Sequence, residues 1–128
     1  MRTIDLPVQS ERPICIIEDD ESLRLALAGL LRSMAHSARG YASAEQFLAE
    51  HDGTCACIIS DIHLPGMTGI EMLRRLRAAG DPVPVIMITA RDVAKWASEA
   101  KATGALCLLR KPFEMRDLLD CLDRVLAA

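Results

Sequence analysis

The chain has 128 residues, 51% hydrophobic and 26% charged, with 15 Lys and Arg against 18 Asp and Glu for a formal charge of -3. That length suits one compact domain, which buries roughly two-thirds of its unfolded surface and needs no covalent staple. The longest apolar run, around Val83 to Ala90, is far short of the roughly 18 residues of a membrane helix, and no basic block is present, so a membrane span and unaided nucleic-acid binding are excluded.

The first residues, MRTIDLPVQSERP, mix charge with Pro and lack an apolar core, which excludes a secretory signal and points to the cytoplasm. Residues 1–12 follow neither the helical nor the strand period and are expected to form a flexible extension, with one domain from 13 to 128. Apolar runs of strand length then alternate with segments of helical period: strand Ile14–Ile17, helix Ser22–Met34, a weak strand Ser37–Tyr41, helix Ala44–Glu50 and strand Ala56–Ser60. Helix Gly69–Ala79, strand Val83–Ile88, helix Val93–Ala102, strand Ala105–Leu109 and helix Met115–Leu126 complete the series. The last helix is the clearest, because Met115, Leu118, Leu119, Leu122, Val125 and Leu126 share one face. Strict alternation with near-continuous aliphatic strands predicts an α/β fold, a doubly wound five-stranded parallel sheet covered on both faces. Gly40, Gly53, Gly80 and Gly104 fall where elements are expected to end, and Pro65-Gly66 marks a turn.

Most of the five cysteines (Cys15, Cys55, Cys57, Cys107, Cys121) sit in apolar runs and are read as reduced core residues. Cys55-x-Cys57 lacks the spacing and the second pair of a zinc site.

Ligands of an open parallel sheet bind beyond the carboxyl ends of its strands, so the residues just after each apolar run carry most information. The first strand is followed by Glu18-Asp19-Asp20, the third by Asp61, the fourth by Thr89-Ala90 and the fifth by Lys111-Pro112. Crowded carboxylates repel unless a cation sits among them, and an all-oxygen set with open water positions suits Mg²⁺. A lysine and a hydroxyl opposite such an ion complete a cradle for a phosphoryl group. Each residue also has an ordinary structural use: Asp20 or Ser22 as a helix cap, Thr89 in a turn, Lys111 as a solvated surface charge. Their joint placement at one sheet edge is what those uses leave unexplained.

The segments IIEDD, IISDIHLPGMTGIEML, PVIMITA and LLRKPF, in that order over about residues 13–127, resemble the receiver domains of two-component response regulators, closest to the nitrogen-fixation regulator type. The resemblance implies a flavodoxin-like (βα)5 fold with strand order 2-1-3-4-5. It implies Asp61 as phosphoacceptor, Asp19 and Asp20 as the acidic pair holding Mg²⁺, with Asp20, Asp61 and the His63 backbone carbonyl as direct ligands. Thr89 matches the switch hydroxyl, and Lys111 the phosphate-binding lysine before a cis Pro112 bond. The expected partners are a histidine kinase or histidine phosphotransfer protein, and a downstream protein met by the face of helix four, strand five and helix five. A monomer or weak dimer is expected, with no catalysis beyond its own phosphoryl transfer and autodephosphorylation.

Receivers of this kind carry an aromatic residue three positions before the lysine, where this chain has Leu108. That departure leaves open a phosphate sink or relay intermediate without conformational output. His63 and Arg91 occupy the flanking positions that tune hydrolysis, and Trp96 either packs on the domain or anchors a partner. The end of the chain after helix five reads as a stand-alone receiver, with a fragment of a longer regulator as the alternative. Asp61-x-His63 also opens metallophosphoesterase sites, but no histidine follows it, and the second aspartate of haloacid-dehalogenase-like phosphatases is His63 here.

Overall fold

Strands apolar on both sides need cover on both faces, and alternating strands with helices supplies it. The computed structural model describes residues 12–127; of the expected extension, residues 1–11 lie outside the described residues. The elements are β1 (Ile14–Ile17), α1 (Glu21–Ser33), β2 (Ala38–Tyr41), α2 (Ala44–Glu50), β3 (Cys57–Asp61), α3 (Gly69–Ala78), β4 (Val85–Thr89), α4 (Val93–Thr103), β5 (Cys107–Arg110) and α5 (Met115–Ala127). All four strand pairings are parallel, in the order β2-β1-β3-β4-β5. The expected fold and topology are therefore those of the molecule.

Alternation along the strands divides the core in two. Ile14, Ile16, Ile59, Ile86 and Ile88 pack with Leu27 and Leu31 of α1 and Leu118, Leu122 and Val125 of α5. Cys15, Ile17, Ile58, Val85 and Met87 face the other way, onto Phe47 of α2, Ile70, Leu73 and Leu76 of α3, and Ala100 of α4.

The strand boundaries differ from the sequence reading in a way that matters for the site. Pro84 has no N–H to give to a ladder, and β4 starts at Val85 rather than Val83, with the Pro84 carbonyl accepting from Ile58 N–H at 2.9 Å. At the other end the ladder runs one residue further than the apolar runs. Ile62 N–H donates to Ile88 O at 2.9 Å and Lys111 N–H to Thr89 O at 2.8 Å, so Asp61 and Thr89 are the last residues of β3 and β4. Gly40 does not end an element; it lies inside β2, where a Cβ would press on the Arg24 side chain.

Helices α1, α2 and α3 start on side-chain caps, and α4 does not. Asp20 caps α1, Ser43 caps α2, and Thr68 with Glu71 forms a reciprocal capping box on α3. Asp92 precedes α4 in the left-handed region (φ 38°) with no side-chain cap bond, and Ala100 is the one fully buried residue of that helix.

Candidate functional site

Among the described residues, the buried polar side chains are Glu18, Ser60, Asp61 and Thr89, and all four lie at the carboxyl edge of the sheet. Burying such groups costs free energy unless they are paired, so their concentration there marks the edge as functional. Glu18 directly follows β1, Asp61 ends β3 and Thr89 ends β4, while Lys111 follows β5 across the sheet.

Lys111 Nζ lies 2.8 Å from Glu18 Oε1 and 2.9 Å from Asp61 Oδ2. The free oxygens are also engaged: Asp61 Oδ1 accepts the His63 backbone N–H at 3.0 Å, and Glu18 Oε2 accepts that of Asp20 at 3.1 Å. Burial pushes the Glu18 carboxyl above its ordinary range, against the pull of Lys111 and the Asp20 N–H. Burial also works against the charge of Lys111, but its two carboxylate partners outweigh that, and its pKa stands above the ordinary lysine value. The bond from Lys111 to Pro112 is cis.

Carboxylate oxygens of Glu18, Asp19 and Asp61 all come within 4.8 Å of one another. Three hard oxygen donors at that spacing fit Mg²⁺, which takes few protein ligands and keeps its waters. Asp20 is not part of this group. Its Oδ1 accepts from the N–H of Ser22 at 3.0 Å and of Leu23 at 3.3 Å, so its exposed carboxylate turns toward the first turn of α1. The acidic pair at the site is thus Glu18 and Asp19, one residue earlier than Asp19 and Asp20. The signal for Glu18 was its place immediately after the last aliphatic residue of β1, where the chain leaves the sheet.

Thr89 Oγ1 bonds neither Asp61 nor Lys111. It accepts from Arg91 N–H at 3.1 Å and donates to Arg91 O at 3.0 Å, holding the loop before α4. The Arg91 side chain is exposed. Leu108, half-buried on β5, packs on the core beneath α4. His63 and Trp96, which share no motif and no element, meet edge to face with ring centroids 5.2 Å apart. A cleft of about 540 Å³ between α4 and β5, lined by Ala97, Ala100, Lys101, Leu106, Cys107 and Leu108 among others, has no carboxylate in its lining and is separate from this edge.

The arrangement offers a carboxylate acceptor, a facing ammonium, an adjacent hydroxyl and an oxygen-lined cation position. Comparison with known proteins agrees. Residues 14–123 match the model of the response regulator receiver domain. The chain is 32% identical over 114 residues to the response regulator protein TodT of Pseudomonas putida, covering 88% of this chain and 50% of the relative. It is 36% identical over 102 residues to the transcriptional regulatory protein FixJ of Bradyrhizobium diazoefficiens, covering 79% and 50%. The chain thus spans about half the length of the curated relatives it matches. Among solved structures, the response regulator StyR superposes with a TM-score of 0.85 at 33% identity, over 91% of this chain and 60% of that one. The chemotaxis protein CheY4 of Vibrio cholerae superposes at 0.82 with 29% identity, over 90% and 98%. Sheet order, acidic edge and family match converge, and the chain belongs to the response regulator receiver domain family.

Proposed function

We propose that Asp61 accepts a phosphoryl group from a histidine kinase, a histidine phosphotransfer protein or a small acyl phosphate. The observation that carries this reading is the Lys111 ammonium held between Glu18 and Asp61 at the end of β3. An Asp61 carboxylate oxygen attacks phosphorus, the bond from phosphorus to the donor's nitrogen or oxygen breaks, and the donor leaves with its electron pair. Lys111 neutralises charge on the transferring group, and the His63 N–H orients the acceptor carboxylate. Asp19, Asp61 and the His63 carbonyl, beside Glu18, would hold Mg²⁺, which when bound draws charge from the phosphoryl oxygens. Thr89 turns from Arg91 toward the new phosphoryl oxygens, freeing the loop before α4 and altering the face of α4, β5 and α5. On that face Leu106 is 57% exposed, an apolar contact for a downstream protein. The protein acts in the cytoplasm and catalyses only its own phosphoryl transfer and autodephosphorylation.

A sink or relay role is the second reading, supported by Leu108 on β5, an aliphatic residue that can fill space but supplies no aromatic ring to the switch. Incubation with acetyl phosphate and Mg²⁺ followed by intact-mass measurement tests the main reading. The expected result is one added phosphoryl group, lost in Asp61→Asn and without Mg²⁺; an adduct that survives Asp61→Asn overturns it.

A further inference from the structure

We infer that Trp96 is a positioning residue for the phosphoryl site, holding the His63 ring against the acceptor end of β3 so that the seating of α4 sets the lifetime of the phosphoryl group. The inference rests on Asp61 being the phosphoacceptor.

His63 is tied to the acceptor through its main chain, by the 3.0 Å bond from its N–H to Asp61 Oδ1. Its ring is held differently. Nε2 is buried with no hydrogen-bond partner among the described residues. A buried ring nitrogen without a partner gains by turning to water, so packing must hold it in place. The packing in question is the edge-to-face contact with Trp96, at 5.2 Å and 77° between rings. Trp96 itself is half-buried, with the Lys95 ammonium 5.2 Å from its ring.

Trp96 lies in the first turn of α4, a helix that starts without a side-chain cap. Its N–H bonds Asp92 O at 3.0 Å, and Asp92 is the uncapped left-handed residue before α4. One residue earlier, Arg91 carries both bonds to the Thr89 hydroxyl. Contacts thus run from Thr89 through Arg91 and Asp92 to Trp96, then through His63 back to Asp61. β5 has no aromatic side chain and Trp96 is the chain's single tryptophan, so the aromatic contact linking the acceptor loop to α4 is this one.

In hydrolysis a water oxygen attacks phosphorus, the bond to the Asp61 oxygen breaks, and its electron pair returns to the carboxylate as phosphate leaves with the water's proton. The water must enter in line with the breaking bond. A ring pinned at His63 obstructs that approach, and a displaced α4 releases it. A partner that moves α4 would thereby shorten the signal, and one that clamps it would prolong the signal.

The test phosphorylates the protein with acetyl phosphate and Mg²⁺, removes the donor and follows decay by intact mass. His63→Ala and Trp96→Ala should each shorten the lifetime roughly two- to tenfold, the factor an aromatic edge contact carries. The double variant should decay no faster than the faster single one, because both changes remove the same obstruction. Trp96→Phe should restore most of the lifetime, and Ser98→Ala, an exposed change on α4 that keeps the helix and the contact with His63 in place, should leave it unchanged. A wild-type lifetime in Trp96→Ala, effects that multiply in the double variant, a longer lifetime in His63→Ala, or an equal loss in Ser98→Ala would each overturn the inference. Absence of any adduct on the wild-type protein would overturn the phosphoacceptor reading with it, whereas adducts that form normally but decay independently of Trp96 overturn this inference alone.

Discussion

Lys111 Nζ lies 2.9 Å from Asp61 Oδ2, and 2.8 Å separates the same ammonium from the buried carboxylate of Glu18. One cation therefore serves two anions, and removing it affects both. Lys111→Ala is expected to slow phosphoryl transfer, because among the described residues its ammonium is the cationic side chain paired with Asp61, and to destabilise the fold by about 1–3 kcal/mol through the unpaired Glu18. It should not weaken Mg²⁺ binding, since a competing positive charge has gone. Phosphorylation rate, urea midpoint and Mg²⁺ titration check the three parts separately; weaker Mg²⁺ binding would mean that Lys111 organises the cation position itself.

Gly69 is the first residue of α3, and its N–H donates to Ile62 O at 2.9 Å. A Cβ there would run into the Asp61 carbonyl oxygen and stand 3.1 Å from Ser60 Oγ. Gly69→Ala must push α3 off the end of β3, so it is expected to cost about 1–3 kcal/mol and to slow phosphorylation of Asp61. Gly29, inside α1 with open space where its Cβ would be, gives the matched comparison. Gly29→Ala should stabilise the protein by about 0.5–1 kcal/mol and leave phosphorylation unaltered. Thermal unfolding and initial phosphorylation rates of the pair decide it.

The contrast between those glycines shows what a single sequence carries. Periodicity reports which way a residue faces within its own element, so all ten elements, the sheet class and the edge bearing Asp61, Thr89 and Lys111 were legible. It does not report where a ladder stops, which depends on the neighbouring strand's groups. Asp61 and Thr89 looked like residues after their strands, although Ile88 O and the Lys111 N–H extend the ladder to include them. The same blindness shifted the acidic pair, because the consecutive acidic residues Glu18 to Glu21 look alike until the N–H groups of Ser22 and Leu23 claim Asp20. The contact of His63 with Trp96 joins a loop to a helix 33 residues on, and no period encodes it.

Cys57 lies within β3, where burial pushes its thiol from the ordinary value of 9.0 to about 12. A folded-state value above the unfolded one means that the unfolded chain releases the proton first. The stability contributed by the buried thiol is then full below about pH 9 and is lost as pH rises toward about 12. Urea midpoints should fall across that range, and Cys57→Ala, which removes the titrating group and keeps a small apolar side chain, should flatten the fall relative to wild type. Parallel curves for the two proteins would assign the alkaline loss to other groups, Cys121 first, whose thiol burial raises to about 11.

Asp19 and Asp20 are both exposed neighbours, yet the structure gives them different work. Asp19 shares the oxygen cluster with Glu18 and Asp61, all within 4.8 Å, and in the absence of a cation that crowding is repulsive. Asp19→Asn is therefore expected to lose most Mg²⁺ affinity while the fold keeps or slightly gains stability. Asp20 has its Oδ1 on two N–H groups of α1. Asp20→Ala should cost about 0.5–2 kcal/mol as a lost cap, with little change in Mg²⁺ affinity. Asp20→Asn separates charge from capping, since asparagine caps about as well as aspartate, and should restore stability. Calorimetric Mg²⁺ titration beside thermal unfolding of the three variants reads both quantities. If Asp20→Asn lost as much affinity as Asp19→Asn, the cation would have to draw Asp20 away from α1, and the cap would break each time the ion bound.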